Sequence, residues 1–144
     1  MPSSPLKILV IEDERDVCLY MTNLLRARGF TPVTASGAED GLAMARSDHP
    51  DLIVLDAMLP GDEAHHIYYQ LKTDTVLKTI PVVLMSSIQR RAMGRFPLWP
   101  VMPTGKRLPE PEAFIAKPPE ADDFMATIAR LIHPSPVSDQ KEVL

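Results

Sequence analysis

Asp56 closes the apolar run Leu52-Ile-Val-Leu55, and Pro60 stands four positions later. Glu12 and Asp13 close a second apolar run, Leu6–Ile11, while Ser86 follows Pro81–Met85 and Lys117 follows Phe114–Ala116. Carboxylates brought within a few ångströms of one another raise each other's pKa unless a cation neutralises them. Glu12, Asp13 and Asp56 together therefore imply a divalent metal. All-oxygen ligation favours Mg²⁺, which accepts only one or two carboxylates and keeps room for water and a phosphoryl oxygen. Lys117 would add a point charge and Ser86 a hydroxyl donor for further phosphoryl oxygens. With those neighbours, Asp56 is a carboxylate nucleophile able to form an aspartyl-phosphate.

For these side chains to meet, each apolar run must be a strand and all must point the same way. The strand read over 51–55 carries a short continuous apolar run, 52–55, bounded by polar and turn-forming residues, as a strand buried on both faces requires. Between Glu14 and Arg28, Val17, Met21, Leu24 and Leu25 recur at helical spacing, with Gly29 suited to the C′ position. Phe30–Ala35 reads as an edge strand, and Ser36 as the cap of a helix over 37–47, although Gly41 inside it costs about 1 kcal/mol relative to Ala. A helix over 63–72 turns Ile67 and Leu71 inward, and one over 120–133 presents Phe124, Ile128 and Leu131 or Ile132. Alternating strands and helices give an α/β fold with a doubly wound, five-stranded parallel sheet and helices on both faces. The flavodoxin-like order 2-1-3-4-5 sets strands 1 and 3 side by side at the switch point, so their acidic ends converge.

The chain has 144 residues, 45% of them apolar and 24% charged, ordinary for one globular domain. We expect a leader over 1–5, the domain over 6–133 and a disordered tail over 134–144. A formal charge of −4 argues against direct nucleic-acid binding, which depends on clustered Lys and Arg. Cys18 is the only cysteine, which excludes an intrachain disulfide and suits a reducing cytoplasm. No apolar stretch approaches the roughly 20 residues of a membrane helix. His49, His65, His66 and His133 lack ligand spacing and read as surface residues. Of 15 prolines, seven crowd between Pro97 and Pro119, so the region after Ser86 is expected to be a long irregular loop, with Phe96, Leu98 and Trp99 either folded back over the sheet edge or offered as an exposed partner site.

The ordered set of Glu12-Asp13, Asp56 with Pro60, Ser86 and Lys117-Pro118 resembles the receiver domain of bacterial two-component response regulators, over about residues 6–133. The resemblance implies that Asp56 accepts phosphate from a sensor histidine kinase or phosphotransfer protein, in a phosphorelay that switches binding to a downstream partner. It implies that Asp13 binds Mg²⁺ directly, that Glu12 acts largely through water and that Met58 offers its backbone carbonyl. It also makes Ser86 and Lys117 sensors of the phosphoryl group, and Phe114 a switch aromatic that turns inward as Ser86 moves. The chain departs from the family in the longer interval from Ser86 to Lys117, whose prolines replace a regular fourth helix, and in Ala64, where the family often has Gly. The family's output face around helix 4, strand 5 and helix 5 is thus altered.

Rival functions fit less well. A dehalogenase-type phosphohydrolase needs an acid two positions after the nucleophile, and Met58 stands there. A flavodoxin-like cofactor carrier needs a hydroxyl- and glycine-rich phosphate loop after strand 1, where this chain has carboxylates. A degenerate receiver acting as a phosphorylation-independent binding module is the second reading, motivated by the altered output face. No enzymatic activity beyond slow self-dephosphorylation is expected: by the resemblance, Met58 and Ile88 occupy places that influence attack by water in the family, and neither side chain can hold a water by hydrogen bonding. The sequence carries no recognisable output domain, so output is expected through a partner, a homodimer or a further domain.

Overall fold

The computed structural model describes residues 5–61, 63–86 and 108–132. Within them β1 (Lys7–Ile11), β2 (Thr31–Ala35), β3 (Leu52–Asp56), β4 (Val82–Ser86) and β5 (Ala113–Ala116) form one sheet in the order β2-β1-β3-β4-β5. All pairings are parallel, with Ile8 opposite Leu52, Ile53 opposite Val82 and Val83 opposite Ala113. This is the expected strand order.

Strand side chains alternate between faces, so each face has its own core. Leu9, Ile11, Ile53, Leu55, Val82 and Leu84 pack beneath α2 (Ala38–Asp48) and α3 (Glu63–Thr73). Ile8, Val10, Leu52, Val54, Val83 and Met85 pack beneath α1 (Arg15–Ala27) and α4 (Ala121–Leu131). Both faces of the central strands are covered, which explains why they read as continuous apolar runs.

Local chemistry fixes where the helices begin and end. Phe30, expected in β2, instead completes a Schellman motif at the end of α1. Its N–H donates to Leu25 O at 3.0 Å and that of Gly29 to Arg26 O at 3.1 Å, with Gly29 at φ +92°. Ser36 does not cap α2 as expected. Gly37 is the N-cap, and because it has no side chain, Glu63 at the start of α3 accepts the Ala38 N–H at 3.1 Å. Gly41 has a packing reason: a Cβ there would lie 2.7 Å from Ile11 Cδ1 and 3.1 Å from Ile67 Cδ1. The propensity cost is offset by the close approach of α2 to β1 and α3. Glu120 caps α4 by accepting the Asp123 N–H at 2.9 Å.

A 3-10 turn, Leu77–Thr79, was not expected; just before it, Asp74 Oδ1 accepts the N–H groups of Val76 and Leu77 at 2.8 and 3.0 Å. Before β5, Leu108 joins the α2–α3 core, and the Tyr68 hydroxyl donates to Pro109 O. Lys72, a helix-end lysine by sequence, is buried and donates to both oxygens of Glu112 at 2.9 and 3.1 Å. Glu112 Oε1 also accepts the Val82 N–H at 2.7 Å, tying α3, β4 and the start of β5 together. Leader residues 1–4, the expected tail and residues 87–107 of the Pro-rich region, with Ile88, Phe96, Leu98, Trp99 and, beyond α4, His133, lie outside the described residues.

Candidate phosphoryl-transfer site

The parallel register brings the carboxyl ends of β1, β3, β4 and β5 to one edge of the sheet. The Glu12 N–H donates to Ala35 O at 3.0 Å, that of Ala57 to Met85 O at 2.7 Å and that of Lys117 to Ser86 O at 2.9 Å, so the ladder extends into the loops carrying the functional side chains. Glu12, Asp56 and Ser86 are buried, while Asp13 is exposed. One carboxylate oxygen from each of Glu12, Asp13 and Asp56 lies within 4.8 Å of the others. Among the described residues this is the cluster suited to a metal ion.

Lys117 Nζ stands among acids, 2.8 Å from Asp56 Oδ2, 3.0 Å from Glu12 Oε2 and 3.0 Å from Glu14 Oε1. The opposite oxygen of Asp56 accepts the Met58 N–H at 2.8 Å, and Glu12 Oε2 accepts the Glu14 N–H at 3.0 Å. Burial pushes the Glu12 carboxyl up to about 7; the Glu14 N–H opposes this, and the charge of Asp56 reinforces it. Burial alone would lower the Lys117 ammonium, but its hydrogen bonds to Asp56, Glu12 and Glu14 outweigh that and raise it.

Two buried polar atoms, Glu12 Oε1 and Ser86 Oγ, have no hydrogen-bond partner among the described residues. Leaving such atoms unpaired costs about 1–3 kcal/mol each, so their presence here points to a ligand. The orphaned carboxylate oxygen, the all-oxygen donor set and the surplus negative charge fit a hard divalent cation such as Mg²⁺.

The structure thus joins Glu12, Asp13, Asp56 and Lys117 directly and places Ser86 at the adjoining strand end. Met58 meets the site through its N–H, its side chain pointing partly to solvent. Phe114 is half-buried, paired in register with Leu84 and packed against the α2–α3 core. His49, His65 and His66 are exposed. Glu14 was missed: it reads as the start of α1, yet its carboxylate reaches Lys117. Its signal was its position directly after the acidic pair.

Residues 8–95 match the family model of the response regulator receiver domain. The chain belongs to the response regulator receiver domain family. Among its relatives is the phosphate regulon transcriptional regulatory protein PhoB of Escherichia coli, 35% identical over 81 residues that cover 56% of this chain and 35% of the relative. The alkaline phosphatase synthesis transcriptional regulatory protein PhoP of Bacillus subtilis is 33% identical over 81 residues, 56% of this chain and 33% of the relative. This receiver domain therefore spans about a third of the length of the curated relatives it matches. In fold it is similar to a chemotaxis response regulator of Vibrio cholerae, with a TM-score of 0.71 at 16% identity, covering 89% of this chain and 99% of that one. A putative response regulator from Chloroflexus aurantiacus gives 0.70 at 20% identity, covering 88% and 97%. Receiver membership places the chain in two-component signal transduction.

Proposed function

We propose that this receiver domain is a phosphoacceptor in a two-component phosphorelay, taking a phosphoryl group onto Asp56 from a sensor histidine kinase or phosphotransfer protein and thereby switching its binding to a downstream partner. The observation that carries the reading is Lys117 held by Asp56 and Glu12 at 2.8 and 3.0 Å, beside two unpartnered buried oxygens. A site retired to a purely structural role would be expected to lose such unsatisfied groups, so the degenerate reading is not favoured.

Asp13 and Asp56, the Met58 carbonyl and, through water, Glu12 would hold Mg²⁺. When bound, that ion supplies charge neutralisation for the carboxylates and the incoming phosphoryl oxygens. Asp56 is oriented for attack by the Met58 N–H on one oxygen and by Lys117 on the other. After transfer, Lys117 Nζ and Ser86 Oγ bond the phosphoryl oxygens, and movement of Ser86 toward them lets Phe114 turn inward. Met58 cannot position a hydrolytic water, so the phosphoprotein is long-lived and the domain is not an enzyme beyond slow self-dephosphorylation.

No helix among the described residues is long and apolar enough to cross a membrane. Together with the solitary Cys18 this supports a cytoplasmic location. Homodimerisation is one route by which the switch would be read. Incubation with Mg²⁺ and acetyl phosphate should add one phosphoryl group by intact mass, and Asp56→Asn should abolish it. An unmodified wild-type mass would overturn the reading.

A further inference from the structure

Glu14 stands on the solvent side of the phosphoacceptor site. Its side chain is 60% exposed, whereas Lys117, which it contacts at 3.0 Å, is 10% exposed and Glu12 and Asp56 are fully buried. Anything approaching Asp56 past Lys117 therefore meets the Glu14 carboxylate. Glu14 is not in the cluster suited to a metal, so its charge is left facing the approach when the inner carboxylates are neutralised. We infer that Glu14 is a specificity-determining residue that selects phosphoryl donors by charge, disfavouring small dianionic acyl phosphates relative to donors whose phosphorus is bonded to a protonated nitrogen. The inference rests on the phosphoacceptor reading.

The two donor classes carry different charge through the same substitution. With acetyl phosphate, a dianion, an Asp56 oxygen forms the new O–P bond, the bond from phosphorus to the acetyl oxygen breaks, and acetate leaves with the electron pair. With phosphoramidate, which reacts as H₃N⁺–PO₃²⁻ with net charge −1, the P–N bond breaks and neutral ammonia leaves. Both give the same dianionic aspartyl-phosphate. The donors thus differ by one unit of charge on approach, and a fixed carboxylate at about 6 Å in a water-like dielectric separates them by a factor on the order of 3. Glu14 also holds one hydrogen-bonding position of Lys117 that a donor's phosphoryl oxygen would otherwise take.

The test is the rate of phosphate uptake by intact mass, with each donor in Mg²⁺, for wild type, Glu14→Gln and Glu110→Gln. The last removes the same charge from an exposed residue before the amino end of β5, at the far end of the sheet from the site. For Glu14→Gln the acetyl phosphate rate should rise on the order of 10-fold and the phosphoramidate rate on the order of 3-fold, so that their ratio rises on the order of 3-fold at low salt. The gap should shrink in added KCl, because exposed charges are screened. An unchanged ratio for Glu14→Gln, or an equal change for Glu110→Gln, overturns the inference while leaving Asp56 a phosphoacceptor. Failure of every protein to take up phosphate from either donor sinks both.

Discussion

Two lysines, one buried and one partly buried, sit near opposite ends of the sheet in opposite electrical circumstances. Lys72, with a side chain 3% exposed, meets one carboxylate, and both oxygens of Glu112 bond it. One of those oxygens also takes the Val82 N–H, so the pair is charge-matched and closed. Lys117 meets three carboxylates and, among the described residues, Glu12 Oε1 is left without a partner. The first arrangement is what a structural clamp between α3 and β5 needs. The second carries surplus negative charge that a divalent cation would neutralise, an imbalance expected of a working site rather than of a structural ion pair.

The difference predicts opposite responses at the two ends. Glu12 has a folded-state pKa of about 7, above its unfolded 4.5, so its burial costs nothing below pH 4.5 and its full penalty applies above about 7. Metal-free protein should therefore lose stability relative to Glu12→Gln, on the order of 3 kcal/mol, as pH rises through that window. Denaturant melts at several pH values check this, and the loss should fade when Mg²⁺ is added. At the other end, Lys72→Met removes the ammonium that lies 5.9 Å from the centre of the Tyr68 ring and strands Glu112, and should cost about 2 kcal/mol at any Mg²⁺ concentration.

Removing one acid from each end sharpens the contrast. Glu112→Gln should destabilise by about 1–2 kcal/mol, because Lys72 then lacks its counter-charge. Asp56→Asn should stabilise the metal-free protein by about 1 kcal/mol, because it relieves repulsion with Glu12. Equal signs in urea melts would break the comparison. The ion itself should act on a similar scale: at ten times its Kd, Mg²⁺ should stabilise the wild type by about 1.4 kcal/mol, and Asp13→Asn should abolish this.

Sheet order and the acidic strand ends were legible because buried parallel strands are continuous apolar runs and their carboxyl ends carry the chemistry. What escaped was set by partners distant in sequence. Glu63 caps α2 from another helix, so Ser36 looked like the cap. Gly41 reads as a weak helix residue until Ile11 and Ile67 are seen against it. Lys72 reads only as the end of a helix because Glu112 lies 40 positions away. Glu14 was hidden differently: its backbone starts a helix, and only the return of the chain at Lys117 gives its carboxylate a second use.

The central claim is that the Lys117 end holds a divalent cation and the Lys72 end does not. Amide resonances of the protein followed by NMR through a Mg²⁺ titration test it most directly. We predict saturable shifts at Glu12–Glu14, Ala57, Met58 and Lys117, with those of Tyr68, Lys72 and Glu112 unmoved. Shifts spread evenly over acidic residues, or none at Asp13 and Met58, would contradict the account.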